Sequence, residues 1–313
     1  MSVCGNKARL QDLVRQSLKD REDSHKVIYV NNGEALIFRT GEIDPNLKFN
    51  HPEADTTIFG IYARLRDGYE GPVIIDSEDT DVYVQAAYVA KNVPGKLYIK
   101  RKKHLVDCAT LVDDEVADSI IAAHVISGSD HTSGFYHKGK SSIMKTIKGD
   151  VEARELLSRV GENSELSDHV EASMVEFVLS KLYNLDKVSC ATARATKWHS
   201  QRKKNTMYLP PDPDSLHYYL EQVNYIVYCQ KHFELRNHPC PIGRGRTFIN
   251  GKCRPIRFSQ PTLSVPQQHQ TALHLHDNID TESDTESETE KNLSGDEETE
   301  FEMSSDSDLS DGD

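Results

Sequence analysis

The chain has 313 residues, with 37 lysines and arginines against 50 aspartates and glutamates and a formal net charge of −13. Spread evenly, that charge would make the protein repel nucleic acid. The charge is uneven, because residues 277–313 hold 16 acids against one lysine and carry −15. Residues 1–276 therefore carry +2, so this part of the chain does not exclude nucleic acid as a partner.

The sequence also limits the cellular compartments in which the protein is expected. No stretch reaches the 18 or so apolar residues that a transmembrane helix needs, and the first residues lack the apolar core of a secretory signal. None of the six cysteines forms a Cys-x-x-Cys pair, and reduced thiols are the default without export. We expect a nuclear or cytoplasmic protein that is neither secreted nor membrane-bound.

Apolar periodicity predicts the first elements in chain order. A helix is expected over 7–20, and two short strands, 27–31 and 35–39, flank the hairpin signal Asn31-Asn32-Gly33. Helices and strands then alternate: a helix over 53–66, a strand over 73–75, a helix over 82–89, a strand over 96–100 and a helix over 116–126. This alternation predicts an α/β fold with a parallel sheet and flanking helices.

Beyond residue 140 the strand signals stop, and helical periodicity appears at 150–160, 166–184 and 214–231. The tail has five apolar residues in 37, too few to offset its chain entropy by burial, and is expected to be disordered. The predicted organisation is an N-terminal helix (1–24), an α/β domain (25–150), a helical and basic extension (151–258), and a linker with the acidic tail (259–313).

Acidic residues gather at three places in the α/β part. They are Glu53 and Asp55 at a helix start, Asp79 and Asp81 behind the strand at 73–75, and Asp130 in the Gly- and Ser-rich stretch 127–134. Sites in α/β sheets form at the carboxyl ends of strands, and carboxylates suit hard dications such as Mg²⁺. Each group also has a plain alternative, as helix N-terminal acids, a solvated turn or a turn residue.

The order of these motifs carries a resemblance. HPEADT at 51–56, DSEDTDV at 76–82 and SGSDHTSGFYHKGK at 127–140 resemble the later part of the PIN-like domain of flap-endonuclease and XPG-type nucleases. The similarity is greatest to PIN-like proteins of animal genomes, including transposon-associated copies. It continues into Leu209-Pro-Pro and Cys240-Pro-Ile-Gly243 and covers about 45–258.

The resemblance implies a PIN-like domain that binds Mg²⁺ or Mn²⁺ and hydrolyses phosphodiesters by a two-metal mechanism. The residues that match the family's metal-binding, catalytic acids are Glu53, Asp55, Asp79, Asp81 and Asp130. The lysines that fall where the family grips the backbone of DNA with a helix–two-turn–helix are Lys138, Lys140, Lys145 and Lys148. DNA or RNA is the implied partner.

The resemblance also implies that the N-terminal part of the domain is missing. The family's domain opens with a strand that ends in an aspartate, and only 52 residues, without that pattern, precede Glu53. Two interpretations therefore stay open. The chain is either an active nuclease, or a catalytically inactive nucleic-acid- or protein-binding module derived from one.

Five residues near the C-terminal end of the helical extension have the side chains that zinc prefers: Cys229, His232, His238, Cys240 and Cys253. Their spacing does not match a closed tetrahedral site, so zinc is not expected. The alternative is that Cys229 faces a core and the histidines lie on a loop.

The acidic tail suggests a regulatory partner. Residues 200–276 carry a net charge of +6, and the tail repeats serines and threonines followed by acids, a pattern that acidophilic kinases phosphorylate. We hypothesise that the tail binds basic proteins or the protein's own basic face, where it competes with nucleic acid.

Overall fold

The computed structural model describes residues 49–256 except 52, 203, 250 and 251, together with residues 9 and 13 and three short strands. The strands β1 (Tyr29–Asn31), β2 (Ala35–Ile37) and β3 (Glu42–Asp44) form an antiparallel sheet. The predicted hairpin at 27–39 is confirmed, whereas β3 was not predicted. The helix expected over 7–20 lies outside the described residues, except that residues 9 and 13 are helical.

A second sheet of three strands is mixed. Strand β4 (Val73–Asp76) pairs in parallel with β5 (Leu97–Arg101), and β5 pairs antiparallel with β6 (His104–Asp107). The prediction of an α/β chain is confirmed, but the sheet is parallel only between β4 and β5. Strand β6 was not predicted, because the turn between β5 and β6 contains no Gly, Asn or Pro. Lys102 takes the left-handed conformation in this turn, with φ at 52°.

Helices cover most of the remaining described chain. They are α1 (Ala54–Arg66), α2 (Thr80–Asn92), α3 (Asp114–Ala117), α4 (Ile120–Ile126), α5 (Lys140–Gly149), α6 (Val151–Arg159), α7 (Asp168–Phe177), α8 (Cys190–Ser200) and α9 (Pro213–Lys231). A π-helical turn, Val178–Leu182, extends α7, and a hairpin of β7 (Arg246–Ile249) and β8 (Lys252–Pro255) follows α9.

The helix predicted over 116–126 is divided into α3 and α4. The hydroxyl of Ser119 donates to the carbonyl oxygen of Val116 at 2.9 Å, a local bond that competes with the helical ladder at this break. Helix α8 and the β7–β8 hairpin were not predicted, because their sequences lack a clear apolar period.

Two apolar cores hold these elements together. The smaller core packs α1 and α2 against the mixed sheet through Phe59, Val82 and Ile99. The larger core runs from Val116 on α3 to Cys229 on α9. The predicted boundary at 150/151 therefore separates helices that share one core. Every described residue falls in one compact unit, Met1–Leu263.

Two further sequence predictions concern the C-terminal tail and membrane-spanning helices. The linker and tail predicted over 259–313 lie outside it. Among the helices of the described residues, none combines the length and the apolarity that crossing a bilayer requires.

Candidate metal centre

Three aspartates meet at the starts of two helices. Asp55 lies in the first turn of α1, Asp79 is the N-cap of α2, and Asp81 lies in the first turn of α2, five residues after β4 ends. Each offers one carboxylate oxygen, and the three oxygens lie within 4.8 Å of one another. Oxygens at this spacing can hold a metal ion.

Local sequence explains why these acids are where they are. The carboxylate of Asp79 accepts a hydrogen bond from the backbone N–H of Asp81 at 3.0 Å, which caps α2. Asp55 and Asp81 each stand in a first turn, where the helix dipole favours negative charge. N-capping and the helix dipole therefore explain why each acid lies at a helix start. The packing of α1 beside α2 then brings the three side chains together.

A buried histidine orients one of the aspartates. Nε2 of His124, on α4, lies 2.8 Å from Oδ1 of Asp81, and His124 is only 6% exposed. This hydrogen bond lowers the pKa of Asp81 below its ordinary value, so Asp81 stays ionised. Sequence reasoning missed His124. The available signal was a single histidine within the apolar run 116–126.

The pKa of Asp55 reflects its burial and the acids around it. Burial, followed by the charges of Asp79, Glu53, Asp81 and Asp130, raises the pKa of Asp55 to about 6. Carboxylates gathered in this way repel one another unless a cation neutralises them. The residues present therefore fit a divalent cation.

Glu53 and Asp130 lie beside the three aspartates. Glu53 is the N-cap residue of α1 but makes no capping bond, and its carboxylate forms an ion pair with Nε2 of His131 instead. That contact raises the pKa of His131. Asp130 is exposed on the neighbouring loop, and its charge reaches Asp55. His131 lies within the motif at 127–140 but was not predicted as a site residue.

Asp76, at the end of β4, belongs to a different arrangement. Its carboxylate pairs with Nζ of Lys100, on the adjacent strand, at 2.6 Å, and both side chains are well exposed. This aspartate already has a cation partner. It serves as a comparison for the triad, because it lies close by in sequence but has its own counter-charge.

The four predicted backbone-binding lysines fall into two groups. Lys140, the first residue of α5, is exposed, and its charge contributes to the low pKa of Asp81. Lys145 and Lys148 are exposed further along the same helix. Lys138 differs, because its ammonium group lies 5.9 Å from the centre of the Tyr183 ring and is partly covered.

Helix α9 connects the parts of the site. The hydroxyl of Tyr219 donates to the carbonyl of Ile126 at 2.8 Å, and the amide of Gln222 donates to the carbonyl of His131 at 2.6 Å. From α2, the buried amide of Gln85 donates to the carbonyl of Gln230 at 2.9 Å. One helix thus fixes both the loop after α4 and the helix that carries two of the aspartates.

The residues with zinc-type side chains have other surroundings. Cys229 is 3% exposed, and burial raises its thiol pKa to about 11, in agreement with the alternative that it faces a core. Cys240 is exposed, and Nε2 of His238 lies 3.0 Å from the carbonyl oxygen of His232. Across the described ranges, the group of three or more side chains with converging ligand atoms is the aspartate triad.

Comparison with known proteins leaves the geometry as the basis for a functional assignment. The chain matches no family model, no curated protein and no solved structure.

Proposed function

We propose that the chain is a PIN-like, nuclease-type protein that hydrolyses phosphodiesters in DNA or RNA with Mg²⁺ or Mn²⁺. The observation that carries this proposal is the meeting of three aspartate oxygens within 4.8 Å, one from the start of α1 and two from the start of α2. The raised pKa of Asp55 supports it, because burial and, after it, the charges of four neighbouring acids disfavour the ionised form in the absence of a cation.

The loop between α4 and α5 supports nucleic acid as the substrate. It makes two tight turns, one closed by backbone pairing of Ser129 with Thr132 and the other by pairing of Phe135 with Lys138. The loop folds back on itself, since a Cβ on Gly128, which has a φ of +107°, would lie 2.9 Å from the backbone nitrogen of Gly134. A helix, two turns and a second helix thus follow one another here, and the charge of Lys140 at the start of the second helix reaches Asp81, which suits phosphate contacts.

The side chains have separable roles in this proposal. Asp55, Asp79 and Asp81 bind the cation, with Glu53 and Asp130 beside them as ligands of a second. Bound dications would polarise the phosphoryl oxygens and neutralise the carboxylates. The hydrogen bond from His124 holds Asp81 in position. Lys140 and His131 add positive charge where the substrate's phosphates must approach the acids.

Cleavage of flap, hairpin and single-stranded substrates with Mg²⁺ or Mn²⁺ tests the proposal. We expect Asp79→Ala and Asp81→Ala to abolish cleavage. Asp76→Ala is the matched control and should retain it, because Asp76 pairs with Lys100 and lies outside the triad. Activity that survives both triad substitutions would refute the assigned site. Binding of nucleic acid without cleavage by the unmodified chain would instead indicate an inactive binding module.

The proposal extends to the acidic tail. Residues 277–313 carry −15, whereas residues 200–276 carry +6. A tethered polyanion has a high effective concentration near a basic face. In this proposal the tail competes with nucleic acid for the basic surface, and phosphorylation of its serines and threonines strengthens the competition.

A further inference from the structure

A cavity of about 320 Å³ opens directly beside the metal centre. Glu53 and His131 line the cavity, and Glu53 lies two residues before Asp55, so the cavity adjoins the acidic site. Helix α9 contributes Tyr225 and Cys229 to the lining, and further lining residues come from the start of α1, the segment after α9 and the β7–β8 hairpin. Pockets for small organic groups start at about this volume.

One wall carries a buried hydrogen-bond acceptor that has no partner. His238 is 8% exposed, and its Nε2–H donates to the carbonyl of His232 at 3.0 Å. The other ring nitrogen, Nδ1, is therefore a lone-pair acceptor, and it is buried without a hydrogen-bond partner. The ring is stacked on His51 at 4.3 Å between centroids, which holds it in this orientation.

A hydrogen-bond donor is unpartnered in the same cavity. Arg246, the first residue of β7, lines the cavity, and its Nε is buried without a partner. It shares the lining of the cavity with Tyr225, Cys229 and His131. Buried polar groups in folded proteins are normally hydrogen-bonded, so an unpartnered donor and acceptor in one cavity indicate a ligand that pairs with both.

The ligand must have a donor and an acceptor on one edge and a flat apolar body. The edge would pair with His238 and Arg246, and the body would lie against Tyr225, Ile226 and Pro239. Each of the nucleobases has a donor and an acceptor side by side on its pairing edge. We propose that the cavity holds one unpaired nucleobase of the substrate, turned out of its strand next to the phosphate at the metal centre. This inference rests on the proposed function.

Binding of short oligonucleotides without metal tests this inference. The probes are single-stranded trinucleotides and matching trinucleotides that lack the central base, added to the full chain in EDTA. We expect the intact trinucleotides to bind at least tenfold more tightly than the abasic ones. In protein with ¹⁵N-labelled histidine, we also expect a saturable shift of the Nδ1 resonance of His238, because that atom gains a hydrogen bond.

Two variants sharpen the test. Arg246→Met keeps the apolar stem but removes the donor, and it should lower affinity for the intact trinucleotides about tenfold. Arg254→Met removes the same charge on β8, where Arg254 is exposed and outside the cavity lining, so it should change the affinities for intact and abasic trinucleotides equally and leave their ratio unchanged. Because the ¹⁵N measurement uses the unmodified chain, it stands even if Arg246→Met fails to fold.

The outcomes separate this inference from the proposed function. Equal affinity for intact and abasic trinucleotides, with the His238 resonance unmoved, overturns the base pocket even if the chain cleaves nucleic acid. A moved resonance and base-dependent binding in a chain that never cleaves would uphold the pocket and overturn the nuclease proposal. A shift that abasic trinucleotides produce equally well would assign the cavity to a sugar or phosphate and also overturn the inference.

Discussion

Replacing Asp55 with asparagine should stabilise the protein, because burial and the neighbouring carboxylates make an ionised Asp55 unfavourable. The pKa of Asp55 is about 6, against an ordinary value of 3.8. This gap of roughly two pH units corresponds to about 3 kcal/mol. Because Asp55 is only half-buried, solvent screening reduces the expected gain to about 1–2 kcal/mol.

The size of the stabilisation depends on pH. Between pH 3.8 and 6 the folded state binds more protons than the unfolded state, so the free energy of unfolding falls as pH rises. Asp55→Asn removes this loss. The variant should therefore match the parent near pH 4 and exceed it above pH 7, when metal is absent. Added Mg²⁺ should then stabilise the parent more than the variant, since it binds the folded parent.

Urea denaturation in EDTA at pH 4.5 and 8, repeated with Mg²⁺ at pH 8, measures these differences. Asp76→Asn is the matched control and should show no such pH-dependent gain, because Asp76 pairs with Lys100. The reasoning is refuted if Asp55→Asn is less stable than the parent at pH 8 in EDTA. A gain of equal size at both pH values would also contradict it, because the burial penalty and the repulsion both require the ionised carboxylate.

Three further predictions concern other parts of the chain. Gly161→Ala should lower the free energy of unfolding by about 2–4 kcal/mol, because its φ is +76° and a Cβ would lie 2.6 Å from the backbone nitrogen of Tyr228. Gly149→Ala, where a Cβ meets nothing within 4 Å, is the control in the same urea experiment. Lys231→Met should raise the free energy of unfolding by about 2 kcal/mol at pH 7, since burial lowers the pKa of this lysine to about 8. The gain should shrink between pH 8 and 10.5, and a gain independent of pH would contradict the cause. Deleting residues 277–313 should raise affinity for single-stranded DNA or RNA at low salt, and unchanged affinity in a filter-binding or anisotropy assay would refute competition by the tail.

The parts of the fold that were predicted correctly have local causes. Apolar periodicity marks α1, α2 and α9, and Asn31-Asn32-Gly33 marks the first hairpin. Asp79 is recognisable as a helix start because a capping aspartate acts on the residues next to it. These signals lie within a few residues of the feature that they predict.

The rest depends on contacts between distant residues. The hydrogen-bond partner of Asp81 is His124, which is 43 positions away. It lies in the apolar stretch 116–126, whose pattern predicts only a buried helix. The cavity joins Glu53, His131 and Arg246, and no local pattern connects these positions. At the break between α3 and α4 the hydroxyl of Ser119 bonds to the carbonyl of Val116, a contact that the apolar period does not reveal.

Helix α9 has a consequence for the order in which the site is made. Ribosomes add residues from the N-terminus, at about 5–20 per second, and domains begin to fold as they emerge. All five acids precede residue 131, whereas the helix that hydrogen-bonds to the loop after α4 and to Gln85 spans Pro213–Lys231. A nascent chain thus carries every carboxylate for several seconds before this helix exists. The acids acquire their final arrangement only late in synthesis, and a chain stalled before residue 213 would hold them without their support.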